Sequence, residues 1–316
     1  MCRCAFQREQ PQTERALDLL ERTVEDQSTA VRSCIIECLD WSLYRGEDER
    51  SLNLFNQTME GHPRLLQLPV THQFSYCACR KHFSQVRPFI EGMLYDETDE
   101  NTRQYGAVLS CLAAFDSEEA RNLEGRAMTG DHIMRRGAAQ VYARNLSNQK
   151  LRETCRDKLI LLMNDADEDV RTSVGSCFQF LRYEHFAPLR EFIEKYILSK
   201  SLRASSRQLV KYLKTVVADE LTLALDVTER ILDSGSFRNL QMNKRGVNLA
   251  DEGDLTMLVL AAYTHTTDAG TKARAMNYLN GCCWLAATQR APLYKIGTVA
   301  KQQLRGCRIF CVNGHP

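Results

Sequence analysis

The 316-residue chain lacks any apolar run approaching the roughly 20 residues that a membrane-crossing helix needs. Its N-terminal stretch, MCRCAFQREQPQTER, lacks the apolar segment of a signal peptide. Together these absences predict a cytoplasmic protein with no membrane partner. A charge excess is missing too. Lys and Arg number 41 against 40 Asp and Glu, a formal charge of +1, so the whole molecule attracts neither nucleic acid nor an acidic substrate. The phosphate-binding pattern G-x-x-x-x-G-K-[ST] occurs nowhere, and neither does the G-x-S-x-G nucleophile elbow. Nothing alternates in the way of a strand; apolar residues recur at three- and four-residue steps almost throughout. The composition, 44% hydrophobic and 26% charged, is that of a globular chain with ample core.

Five segments share one pattern: a polar Asp- or Gly-containing turn, an Arg, then a helix with small and apolar residues on one face. They are DQSTAVRSCIIECL (26–39), DETDENTRQYGAVLSCL (96–112), GDHIMRRGAAQVYARNL (130–146), DADEDVRTSVGSCFQFL (165–181) and DAGTKARAMNYLNGCC (268–283). Their anchor arginines are Arg32, Arg103, Arg135, Arg171 and Arg274. The gaps of 71, 32, 36 and 103 residues are close to two, one, one and three units of about 32–36, the fixed period of a repeat architecture. Arg207 lies 36 residues beyond Arg171 and continues the period.

The spacing predicts an all-α chain, an α-α superhelix of about seven or eight antiparallel helical pairs with connections too short for any other packing. Ser84, Asp99, Ser117, Asp131, Asn148 and Asp167 have N-cap side chains and mark helix starts. Residues 1–11 read as a disordered N-terminus. The helical-repeat domain covers 12–288, with irregularity at 60–80 around Pro63 and Pro69 and a Gly/Asn/Ser-rich loop insertion at 234–253. Residues 289–316 read as an irregular C-terminal tail. Gly137 and Gly175 fall mid-helix, where each costs about 1 kcal/mol relative to Ala, so tight packing is expected there. Thirteen cysteines read as reduced residues, with Cys34, Cys38, Cys111, Cys155 and Cys177 on or beside apolar stripes.

Short helical pairs, an Asp-rich turn and a Val- or Met-Arg dipeptide resemble the HEAT-repeat family. The matching residues are Asp165, Asp167, Val170 and Arg171, with Val31–Arg32 and Met134–Arg135 in other units. The resemblance covers about 12–288 and implies that the arginines join the Asp residues of neighbouring units in a polar ladder. The period is shorter than the usual HEAT range of about 40–47. The run MRRGAAQVYARNL followed by DADEDVR also resembles the C-terminal helical regions of large bacterial STAND-type P-loop ATPases. That likeness implies a sensor region of a larger bacterial ATPase whose nucleotide module lies elsewhere.

Chemistry-bearing residues are sparse. His72, Cys77, Cys79 and His82 form the best metal candidate, but C-x-C departs from the usual zinc spacing, and Cys77 lies off the helical face that His72 and Cys79 share. No cofactor motif occurs. Asp165/Asp167 and Asp96/Asp99 sit in repeat turns, where Asp caps helices rather than performing acid–base work. Two basic patches remain. Lys200, Arg203, Arg207, Lys211 and Lys214 recur at helical steps; Arg135 and Arg136, with Arg144, Arg152, Arg156 and Lys158, occupy consecutive helices. The expected function is a non-catalytic protein-interaction or sensor scaffold that binds a protein partner, with Arg136 and the Lys200–Lys214 cations as its contact residues. The alternatives are a nucleic-acid-binding solenoid, whose affinity would fall steeply with salt, and a solenoid enzyme of the DNA glycosylase or lyase type, a kind the family resemblance includes.

Overall fold

A computed structural model of the chain describes residues 10–44, 46–95, 98–233 and 249–288. Residues 1–9 of the expected disordered N-terminus, most of the loop at 234–253 and the tail at 289–316 lie outside the described residues, while Gln10 and Pro11, also read as disordered, begin a helix. Within them the fold is all-α, with fifteen α-helices and no strand. No described helix is long and apolar enough to cross a membrane. The chain divides into two compact units, the first of residues up to Leu181 with Ala187–Ser205, the second of Arg182–Phe186 with the residues from Ser206 onward.

The first unit is a solenoid-like stack of helical pairs. Its helices are α1 (Gln10–Thr23), α2 (Thr29–Tyr44), α3 (Asp48–Met59), α4 (Pro69–Ala78), α5 (Phe83–Met93), α6 (Glu100–Ala113), α7 (Arg121–Thr129), α8 (His132–Asn145), α9 (Arg152–Leu162), α10 (Glu168–Gly175) and most of α11 (Phe186–Leu198). The second members of successive pairs pack on one another in a row: α2 on α4, α4 on α6, α6 on α8, α8 on α10. Leu39, Phe55, Phe74, Ile90, Leu109, Ala138 and Val174 lie fully or almost fully buried between the helices.

Small residues let the row close up. A Cβ on Gly137 of α8 would meet the Gln104 carbonyl of α6 at 2.6 Å and the Ala107 Cβ at 3.1 Å, and a Cβ on Gly106 would meet the Met93 Cβ at 2.8 Å. Gly175 sits against Ser205 and the Tyr196 hydroxyl. The glycines therefore lower helix propensity where backbone contact requires it.

Three of the six sequence-read caps act as caps. The side chain of Asp99 accepts from Thr102 N at 3.0 Å, Asp131 from Met134 N at 2.9 Å and Asp167 from Val170 N at 3.1 Å. Ser84, Ser117 and Asn148 do not cap α-helices: α5 begins one residue before Ser84, Ser117 precedes a 3-10 turn, and α9 begins after Leu151. The irregular stretch at 60–80 is a 3-10 turn, Pro63–Gln67, followed by α4, which starts on Pro69 because a proline ring suits the first helical position. Cys38, Cys111, Cys155 and Cys177 are buried as expected, but Cys34 is exposed, on the side of α2 away from Ile35 and Leu39.

Helix α12 (Ser201–Val216) carries a break at Ser205, with φ −149° and ψ 40°, where the division between units falls. The second unit contains the residues of α12 after the break, α13 (Leu221–Asp233), α14 (Leu249–His265) and α15 (Ala269–Thr288). The last three pack on one another, with Leu225, Val227, Leu258 and Ala262 buried.

Candidate partner-binding site

The anchor residues occupy one position, the fourth of each second helix. Each turns back to the carbonyls of its own leading turn: Arg32 Nε donates to Asp26 O at 2.6 Å, Arg103 Nη1 to Thr98 O at 2.9 Å, Arg135 Nη1 to Gly130 O at 2.5 Å and Arg171 Nη1 to Ala166 O at 2.7 Å. Three of them also reach forward to the next pair. Arg32 donates to Thr58 O at 2.5 Å, Arg103 Nε lies 3.1 Å from Asp131 Oδ2, and Arg135 holds Asp165 through two hydrogen bonds of 2.7 and 3.0 Å. Such carbonyl and carboxylate contacts occupy much of each guanidinium, so Arg32, Arg103 and Arg135 are joints between pairs, while Arg171 fastens its own leading turn.

The 71-residue gap hides one more anchor. His72 is the fourth residue of α4, and its Nε2–H donates to Leu66 O at 2.8 Å, as the arginines do to their own turns. Its ring stacks on Tyr105 of α6 at 4.6 Å, and the cap Asp99 lies close enough to act on its charge. Arg274, by contrast, is not an anchor of this kind. It is the sixth residue of α15 and bonds Asp226 and Glu229 of α13 at 2.6 and 2.8 Å.

The metal candidate does not assemble. His72 is engaged as above and His82 Nε2 pairs with Asp48 at 2.9 Å. Cys79 is buried while Cys77 faces outward, and among the described residues no three His, Cys, Asp or Glu side chains form a metal-holding group. Packed neighbours desolvate the sulfur of Cys77 although the residue is exposed, and with Asp40 beside it they push the thiol up to about 12.

The basic residues expected to meet a partner separate into tied and untied sets. Arg136 bonds the Gln104 side-chain oxygen and lies 3.6 Å from Asp169, linking α6, α8 and α10. Lys214 pairs with Asp254 at 3.0 Å. Lys200, Arg203 and Lys211 are exposed, but the break at Ser205 ends the helical register of Lys200 and Arg203 before the stretch that carries Arg207 and Lys211 begins.

A different surface of the first unit brings exposed chemistry together. Counted from the anchors, the residue five places on is Cys77, Val108 or Gln140, and nine places on it is Trp41, Lys81, Leu112 or Arg144. Within the helices these positions share a face, with Lys81 in the turn that follows α4, and on the row they line two adjoining hollows. One, of about 710 Å³, lies over α2 and α4 and includes Asp40, Trp41, Tyr44, Cys77 and Lys81. The other, of about 850 Å³, lies over α4, α6 and α8. Its α4 side carries Tyr76, Arg80 and Lys81; Val108, Leu112 and Val141 supply apolar surface; Arg144 stands at the α8 end. Cys77 and Lys81 belong to both hollows, so the two form one groove. The ladder thus runs through the starts of the second helices and the groove along their later turns. Reading the sequence in register from the anchors exposes this face; reading it for arginines alone passes it over.

Comparison with known proteins returns no match: no family model, no curated protein and no solved structure aligns with the chain.

Proposed function

We propose that the first unit is a non-catalytic helical-repeat scaffold of the HEAT type that holds a protein partner along the joined groove over α2, α4, α6 and α8. The observation that carries this reading is the register of the groove. Four successive pairs contribute the same helical face, and that face combines exposed aromatics, Tyr44 and Tyr76, with apolar side chains and cations. Interfaces favour this mixture of aromatic anchors and a polar rim. Two ion pairs lie within it, Arg80 to Asp116 at 2.5 Å and His82 to Asp48 at 2.9 Å, which suits recognition better than proton transfer.

Nucleic-acid binding is the weaker reading. The cations that suggested it include Arg135 and Arg136, held by Asp165 and Gln104, and Lys214, held by Asp254. A phosphate-tracking surface needs several free cations together.

The test places a photo-cross-linking residue at Tyr76 and, as a control, at Leu161, an exposed residue of α9 outside the groove. A protein adduct formed in cell extract at Tyr76 and not at Leu161 is expected. Adducts at both positions alike, at neither, or only with nucleic acid would overturn the reading.

A further inference from the structure

We infer that the hollow over α4, α6 and α8 recognises an acidic peptide segment in which carboxylates alternate with aliphatic side chains. The inference rests on the partner-binding role proposed for the same face and specifies the chemistry of the partner.

The charge of the hollow decides the sign of its occupant. Arg80, Lys81 and Arg144 line it against a single carboxylate, Asp116. Arg80 is already tied to Asp116 by a 2.5 Å contact. Lys81 and Arg144 are exposed and have no ion-pair partner among the described residues. Two free cations thus stand on opposite sides of the hollow, one following α4 and one in the last turn of α8. Both cations stand at helix C-terminal ends, where the helix dipole carries partial negative charge. An incoming carboxylate is therefore met chiefly by the side chains, through charge-assisted hydrogen bonds.

The surface between the cations is apolar. Val108 and Leu112 of α6 are half-buried and Val141 of α8 is buried, all within the hollow. Tyr76, about half exposed, closes the α4 side. Gln140 and Asn145, the remaining polar lining, are turned to internal partners: Gln140 Oε1 accepts from Gln104 at 2.9 Å, and Asn145 Nδ2 donates to Val141 O at 2.8 Å.

An aliphatic side chain between two carboxylates matches this arrangement of cation, apolar surface and cation. A nucleic-acid strand matches it less well. Its many phosphates gain from only two free cations, and the single exposed aromatic of the hollow, Tyr76, gives bases little to stack on. A basic peptide meets Lys81 and Arg144 with like charge.

The experiment pans a phage-displayed library of random dodecapeptides on the full chain, then measures resynthesised peptides by fluorescence anisotropy. Enriched peptides are expected to be net acidic with interleaved Leu, Ile or Val. Their affinity should fall at least tenfold for the K81E/R144E double variant, whose exposed sites leave the far-ultraviolet circular dichroism and the thermal midpoint unchanged. A peptide with its Asp and Glu replaced by Lys should bind that variant better than it binds the native chain. Enrichment of basic or neutral peptides, equal binding to K81E/R144E, no enrichment at all, or displacement of the peptide by a single-stranded oligonucleotide at lower concentration would overturn the inference. A protein adduct at Tyr76 alongside any of these failures would leave the binding face standing and reject only its acidic specificity.

Discussion

Arg135 of α8 holds Asp165, in the turn leading into α10, with Nε on Oδ2 at 2.7 Å and Nη2 on Oδ1 at 3.0 Å, while its Nη1 closes on the Gly130 carbonyl behind it. One side chain thus fastens its own turn and the next pair, and both ends are largely covered from solvent, with side-chain exposures of 23% and 8%. Arg135→Ala is expected to cost about 1–3 kcal/mol, read as a lower urea midpoint. Arg135→Lys should recover only part of it, because an ammonium cannot fork. Equal midpoints for all three proteins would show that the joint is not a source of stability.

The same pair carries an acid sensitivity. Burial raises the Asp165 carboxyl, but Arg135, the Asp167 amide and the charge of Arg171 outweigh it and hold the carboxyl below the ordinary aspartate value. A depressed carboxyl favours the folded state above the unfolded pKa of about 3.9, and the benefit drains as pH falls through the folded value. Urea midpoints at pH 7 and pH 3 should therefore differ less in Asp165→Asn than in the native chain.

His72 predicts a second window. Burial first, against the Leu66 carbonyl and Asp99, lowers its pKa. The unfolded state then takes the proton first, so stability is full above about 6.5 and is lost as pH falls through the folded value. His72→Gln should flatten the slope of stability between pH 7 and pH 5. An unchanged slope would mean that the ring protonates freely in place.

Much of the helix layout was legible because N-cap chemistry and apolar spacing are local. Asp99, Asp131 and Asp167 mark their helices in one residue each. The anchor at position 72 was not legible, because a histidine does the arginine's carbonyl-binding work there and a search for arginine steps over it. Arg274 erred in the opposite sense: it lies near the period, but its partners, Asp226 and Glu229, are on another helix rather than in its own turn. The groove was hidden for a third reason. Cys77, Val108, Leu112 and Arg144 have no common chemistry, and only alignment on the anchors shows that they share a face.

Glycine substitutions separate packing from propensity. A Cβ added to Gly125 of α7 would have nothing within 4 Å, so Gly125→Ala should stabilise by about 0.5–1 kcal/mol. Gly137→Ala carries the same propensity gain but drives a Cβ to 2.6 Å from the Gln104 carbonyl. Backbone cannot give way as a flexible side-chain tip does, so this variant should melt lower than the native chain. Thermal midpoints moving together would contradict the close approach of α6 and α8.

The buried carboxylate of Glu124 on α7 joins two helices at once: the Tyr142 hydroxyl of α8 donates to Oε1 at 2.5 Å, and Lys158 Nζ of α9 lies 2.8 Å from the same atom. Burial, then the Cys111 thiol and Glu124 itself, hold Tyr142 protonated well above the usual tyrosine value, so its O–H remains a donor at every working pH. Glu124→Ala removes the acceptor and leaves both partners behind, one of them fully covered. Orphaning a buried hydroxyl costs about 1–3 kcal/mol. Losing the ion pair adds less than a fully buried pair would, because Lys158 is 29% exposed and water replaces the carboxylate there. Glu124→Ala should therefore cost about 2–4 kcal/mol by urea unfolding. Tyr142→Phe, which removes the donor as well as the bond, should cost less, and Glu124→Gln should fall between, since its amide oxygen still accepts from Tyr142. A Glu124→Ala midpoint indistinguishable from the native one would mean that water serves both partners and that α7, α8 and α9 are held by apolar packing alone.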